Sequence, residues 1–387
     1  MHIQSDVACC RHRCPPLIIM LVAVFGIFAK VAAADPIRTE LLQPQPNQVL
    51  QRQKFEPRRA HEHEPGGPAR GFADVIVEVD LSAMDSALGD DATCEVRAAP
   101  LAGAYGPGSD WSRVAGQHRD QRWSGQARLA AGGWYKLEWR ARRGAQTIAV
   151  ASVEPVGVGE VFVIAGQSYA VGANDEMTDV DDPLGRVVAY DAVNKKWRVA
   201  NDPQPNAGDG GTIWPTLGNY LLPLLRVPIG FVNVAVGGTS TRQWLPGEKL
   251  FEQLAAAGKD IGRFRAVLWQ QGESDVIEHR STEYYMRNMI TIRSALAKQW
   301  GFEPPWLLAK STLHPTVYND PEGEGRIRSA IDRLWSTPGF RPGPDTDILG
   351  GESRAGLGTR RHFSGIGQRR AALLWFAAIW QELNATP

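Results

Sequence analysis

The stretch "GVGEVFVIAGQSYAVGAND", Gly157 to Asp175, decides the fold. Five apolar residues in a row, Val161 to Ala165, stop at Gly166-Gln167-Ser168. An apolar run without alternation reads as a strand buried on both faces, as in a parallel sheet covered by helices. In such sheets ligands collect beyond the carboxyl ends of the strands. Ser168 is therefore either a nucleophile set on that rim or the first residue of a loop.

The residues downstream repeat the pattern. Short apolar runs at 161–166, 229–238, 265–272 and 305–311, with a further one expected at 345–350, alternate with helical periodicities. The clearest of these periodicities cover 281–300, 324–335 and 364–383. This rhythm predicts an α/β domain over 155–387 with a doubly wound parallel sheet. Upstream, 72–154 changes register. "ADVIVEVDL", "TCEVRAAPL", "WYKLEWRARR" and "QTIAVASVEP" alternate apolar and polar residues between Gly-rich turns. Period two with glycine punctuation predicts a small antiparallel, sandwich-like β domain. Residues 35–71, rich in Pro, Gln, Arg and His, read as a linker with one short strand near Val49–Arg52.

Composition bounds the function. Forty-two basic residues balance forty-two acidic ones, which gives no reason to expect a nucleic-acid partner. Arg11 and Arg13, an apolar run of about 15 residues and the small residues Ala32 and Ala34 follow the order of a secretory signal peptide over 1–34. The run is short of the roughly 20 residues a span requires, so the expectation is export to the periplasm or beyond, with no stable membrane insertion. After cleavage Cys94 is the one remaining cysteine, so no internal disulfide is expected and the core must hold the fold. His61 and His63 alternate with Glu in a Gly/Pro-rich loop, and "DEMTDVDDP" (175–183) is acidic. Neither has a metal-site spacing, so no metal and no cofactor is expected.

The strand ends carry the chemistry. After Ser168 come Gly237-Gly238-Thr239-Ser240 and then Gln271-Gly272-Glu273-Ser274-Asp275, and His362 precedes the last helix. A hydroxyl, a glycine turn with free N–H groups, an amide, a carboxylate and an imidazole are the parts for acyl transfer. Each has a plain structural reading too: a serine after a strand is usually a turn residue, and a lone histidine is usually structural. Their shared position at strand ends, in this chain order, favours chemistry. His362 would take the Ser168 proton. The Ser168 N–H, the Gly238 N–H and the Gln271 amide would receive the oxyanion, with glycine at 238 allowing positive φ.

"VFVIAGQSYA", "VNVAVGGTSTRQW", "LWQQGESD" and "HFSGIG" resemble the successive blocks of the SGNH/GDSL hydrolase superfamily, in its sialate O-acetylesterase-like and acetylxylan esterase-like branch. The resemblance covers about 156–383. It implies a three-layer α/β/α flavodoxin-like fold and a metal-free serine esterase acting on O-acetylated saccharides. Ser168 matches the nucleophile, Gly238 and Gln271 the oxyanion donors, and His362 the base. Tyr169 stands where relatives carry Asn, and Thr359 where many carry the triad Asp. The resemblance offers Glu273 as the substitute acid, with Asp345, Asp347 or a backbone carbonyl as alternatives. Trp244, Arg242, Tyr169 and Trp214 are expected along the substrate cleft, with core packing the competing role for the tryptophans. The rival functions are a catalytically impaired sugar-binding protein and an O-acetyltransferase using the same serine.

Overall fold

A computed structural model describes residues 35–53, 70–84, 88–89, 91–206, 208–354 and 362–384. The expected signal peptide, His61, His63 and Thr359 lie outside the described residues. From Pro36 onward the chain forms one compact unit.

Among the described residues nine strands precede the opening stretch. They are β1 (Ile37–Arg38), β2 (Glu40–Gln43), β3 (Gln48–Gln51), β4 (Phe72–Asp80), β5 (Ala92–Tyr105), β6 (Ser112–Arg113), β7 (Gly116–Arg119), β8 (Arg122–Ala130) and β9 (Gly132–Arg143). β2-β4-β8-β7 form one antiparallel sheet, which faces a second one built on β5 and β9. Alternation puts Val75, Val77 and Val79 of β4 inside, against Leu137 and Trp139 of β9. Trp123 and Trp139 meet across the gap at 5.6 Å. The expected linker thus contains three strands, one of them the strand read near Val49.

The next strand, β10, runs unbroken from Gln146 to Gly166. Its first half pairs antiparallel with β9. Its second half pairs parallel with β13 (Ile229–Asn233) and β14 (Ala266–Gln270). Burial alternates up to Pro155 and is continuous from Val156 onward. A half-solvated antiparallel strand becomes a fully covered parallel one, so the change of rhythm at 154/155 falls inside a single strand.

The parallel sheet continues with β15 (Trp306–Lys310) and β16 (Phe340–Asp345), and a hairpin, β11 (Val187–Asp191) and β12 (Lys196–Val199), extends the opposite edge. The order β13-β10-β14-β15-β16 is the flavodoxin-like 2-1-3-4-5 arrangement, whose switch point lies between β10 and β14. Successive β10 residues face opposite cores. Phe162 and Ile164 meet α2 (Trp214–Leu225) and α7 (Gly365–Asn384). Val161 and Val163 meet α3 (Lys249–Ile261), α5 (Thr282–Trp300) and α6 (Pro321–Trp335). In α5 the buried residues Tyr285, Met289, Ile292 and Leu296 recur at helical spacing. The Ser281 side chain caps its start by accepting from the Tyr284 N–H, and Gly301 ends it at φ 73°. Among the described residues no helix is long and apolar enough to cross a membrane.

One expected strand is displaced. β16 is "FRPGPD", which ends at Asp345, and residues 346–350 form the loop after it. Pro342, Gly343 and Pro344 hide a strand in the sequence, but β16 ends the sheet, pairing among the described residues with β15 alone, where proline is tolerated.

Candidate active site

The site sits at the β10/β14 switch point. Gly166 has φ 135°, and a Cβ there would lie 2.0 Å from the Gln270 carbonyl oxygen, so only glycine allows this approach of the two strand ends. The Gln167 N–H donates to the same oxygen at 2.9 Å. The chain then makes a single helical turn, α1 (Ser168–Val171), closed by Gly172 in the left-handed region. Ser168 is the first residue of that turn, where no helical carbonyl can accept its N–H. Its side chain is 9% exposed.

Opposite lies the glycine turn after β13. A Cβ on Gly237 would be 3.9 Å from that of Ser168, so the turn faces the serine directly. Gly238 is exposed at φ 68° with open space where a Cβ would be, so its glycine is required by conformation and not by crowding. The Thr239 hydroxyl donates to the Val236 carbonyl at 2.8 Å and accepts from Trp244 Nε1 at 3.2 Å.

Trp244 is fully buried and meets Trp269 edge-on at 5.3 Å. It offers no face to a sugar, which corrects the stacking expectation. Trp214 is likewise buried, donating to the Ala170 carbonyl at 2.8 Å. Arg242 is exposed.

Gln271 is employed differently from the expected oxyanion donor. Its Nε2 donates to Asp275 at 2.7 Å, to the Thr239 carbonyl at 3.1 Å and to Gln167 Oε1 at 3.3 Å. Those acceptors exceed the two protons available, so Gln271 braces the rim instead of waiting for a substrate. Asp275, also fully buried, accepts from the Thr241 N–H at 2.8 Å and its hydroxyl at 2.7 Å. Burial pushes the Asp275 carboxyl up, against the lowering pull of these donors.

Glu273 opens the short helix α4 (Glu273–Ile277). Its Oε1 accepts from the Ser311 hydroxyl at 3.2 Å, and Oε2 has no side-chain partner among the described residues. Complete burial, with Asp347 adding repulsion, pushes this carboxyl well above the usual carboxylate range. Its hydrogen bond runs to Ser311, and burial disfavours the charge that an imidazolium partner would need. Asp347 accepts from the Thr312 N–H and hydroxyl, both at 2.7 Å, and pairs with Arg328 at 2.6 Å. Asp345 pairs with the same guanidinium, also at 2.6 Å. Both carboxylates are committed to the loop after β15 and to α6.

His362 reaches this rim from the start of α7. Its ring meets Tyr169, the neighbour of Ser168, edge-on at 5.2 Å. Asn174 couples the two segments: its Nδ2 donates to the Tyr169 carbonyl at 3.2 Å, and its Oδ1 accepts from the Phe363 N–H at 3.2 Å. Tyr169 is fully buried and so is no substrate contact. Its hydroxyl donates to the Leu313 carbonyl at 3.2 Å and accepts from Arg354, whose guanidinium burial pushes down to about 10.

His314, at the end of β15, was not singled out. It is buried, 5.8 Å from the His362 ring and 6.4 Å from that of Tyr169. The strand-end rule would have found it had the β15 run been followed three residues past Ser311. Ser168 thus faces the glycine turn, and the His362 ring lies against its chain neighbour Tyr169.

Residues 158–309 match the family model for the carbohydrate esterase, sialic acid-specific acetylesterase. The "Probable carbohydrate esterase" of Arabidopsis thaliana is 26% identical over 162 residues, 35% of this chain and 62% of that one. The chain thus spans less than two thirds of this relative's length. The crystal structure of a carbohydrate acetylesterase from Xanthomonas citri superposes with a TM-score of 0.52 at 17% identity, covering 87% of this chain and 73% of that one. Residues 158–309 are thus similar to the carbohydrate esterase, sialic acid-specific acetylesterase family, and the chain shares the fold of a carbohydrate acetylesterase.

Proposed function

We propose that the protein is a serine esterase that removes O-acetyl groups from carbohydrates. Two observations support this reading: Ser168 Cβ lies 3.9 Å from the Cβ position of Gly237, and the ring of its neighbour Tyr169 lies 5.2 Å from that of His362. His362 takes the Ser168 proton as Oγ attacks the acetyl carbonyl. The Ser168 and Gly238 N–H groups receive the oxyanion, each such donor contributing roughly 3 kcal/mol. The imidazolium returns its proton to the departing sugar hydroxyl. Water, deprotonated by the same imidazole, then releases acetate from the acetyl-serine. Gln271 keeps the donors in place.

The test is hydrolysis of p-nitrophenyl acetate and acetate release from acetylated xylan, comparing the wild type with Ser168→Ala and His362→Ala. Both variants should lose at least about 1,000-fold in kcat. Wild-type rates equal to those of Ser168→Ala would sink the reading and favour a sugar-binding protein. We further propose export, with the mature chain starting at Asp35. N-terminal sequencing of protein from the culture medium and periplasm should find that end, and an intact Met1 would refute it.

A further inference from the structure

We infer that Asp275 is a positioning residue for the oxyanion turn: its carboxylate ties the loop after β13 to the end of β14. The inference rests on the esterase reading for its kinetic part and on geometry alone for the rest. Three donors from two loops converge on one buried carboxylate, the Thr241 N–H, the Thr241 hydroxyl and Gln271 Nε2, at 2.7–2.8 Å. Asn288 Nδ2, from α5, donates to the Thr241 hydroxyl at 3.0 Å and secures it from outside.

The chain of bonds continues to the serine. Gln271 Nε2 shares its two protons between Asp275 and two further acceptors, the Thr239 carbonyl, directly after Gly238, at 3.1 Å and Gln167 Oε1, directly before Ser168, at 3.3 Å. Gln167 Oε1 accepts the Ser274 N–H at 3.2 Å as well. The two backbone donors of the proposed oxyanion hole thus flank residues joined through one amide, and Asp275 orients that amide. Gly238 needs the help. It is exposed, at positive φ, with nothing among the described residues within 4 Å of where a Cβ would stand. Preorganisation of such donors is what an oxyanion hole supplies to the reaction.

Asp275→Asn keeps the shape and replaces one acceptor oxygen by a donor that must face the Thr241 or Gln271 donors. Hydrogen-exchange mass spectrometry should show amides of Gly237–Ser240 exchanging at least 10-fold faster, with core strands such as β15 unchanged. With p-nitrophenyl acetate, kcat should fall at least 30-fold while KM moves less than threefold. Affinity for a phenylboronic acid, which forms a tetrahedral adduct on serine, should fall in step with kcat. Thr241→Val, a milder change, should shift all three readouts the same way, and Thr241→Ser should leave them near wild type. Unchanged exchange in the turn, or a boronate affinity that stays at the wild-type value while kcat falls, overturns the inference. If the wild type shows no Ser168-dependent hydrolysis, the esterase reading fails and the exchange result still decides the clamp.

Discussion

Gly166→Ala strikes the junction on which the site is built. The new methyl carbon would stand 2.0 Å from the Gln270 carbonyl oxygen, 2.6 Å from its carbon and 3.0 Å from its nitrogen. All three are backbone atoms of a central strand, so no side chain can swing away. Relieving the contact means moving β10 and β14 apart by about an ångström, an overpacking cost of roughly 1–3 kcal/mol. The φ of 135° adds about 1–3 kcal/mol for a residue with a Cβ. The loss expected in urea unfolding is therefore about 4 kcal/mol. The same shift breaks the Gln167 N–H to Gln270 bond and moves Ser168 off the glycine turn. A displacement of that size costs about 100-fold in rate. Gly325→Ala is the control: in the interior of α6, with nothing within 4 Å of its Cβ position, it should stabilise by about 0.5–1 kcal/mol. A Gly166→Ala protein within 1 kcal/mol of wild type and fully active would refute the reasoning.

Trp244→Ala should cost about 3–5 kcal/mol of stability in urea titration and leave the KM of folded protein nearly unchanged, because the ring is core; a raised KM at unchanged stability would restore the sugar-stacking role. Glu160, fully buried, bonds Arg52 at 2.5 Å and Arg265 at 2.6 Å. Burial alone would raise its pKa, but the two guanidinium groups hold it below the usual range. Its stabilisation is therefore present above the unfolded carboxylate value and is lost as pH falls through the folded one. Glu160→Gln should be less stable than wild type at pH 7 by about 3–5 kcal/mol, with the gap closing in acid; a gap independent of pH would contradict this. Glu273 has the opposite sign. Its raised pKa costs stability once pH exceeds the unfolded value, so Glu273→Gln should melt higher than wild type at pH 7 and equal to it near pH 4, and a lower melting temperature at pH 7 would show an ionised, paired carboxylate.

The frame of this protein was legible because burial leaves a plain signature. "VFVIAG" announced a doubly covered strand, and the polar residues behind it marked the rim. What escaped was set by contacts between distant segments. Trp244 lies six residues past the glycine turn, and only packing against Trp269 shows that it points into the core. Gln271 and Glu273 carry the right functional groups, but their partners, Asp275 and Ser311, decide what those groups can do. β16 escaped because two prolines mask a strand that an edge position tolerates. His314 became visible only through the rings of Tyr169 and His362 around it.

Covalent trapping tests the central claim most directly. Intact-protein mass spectrometry after treatment with a fluorophosphonate should show one adduct, and peptide mapping should place it on Ser168, with labelling slowed at least about 100-fold in His362→Ala. An unlabelled protein, or an adduct on any other residue, would contradict the account.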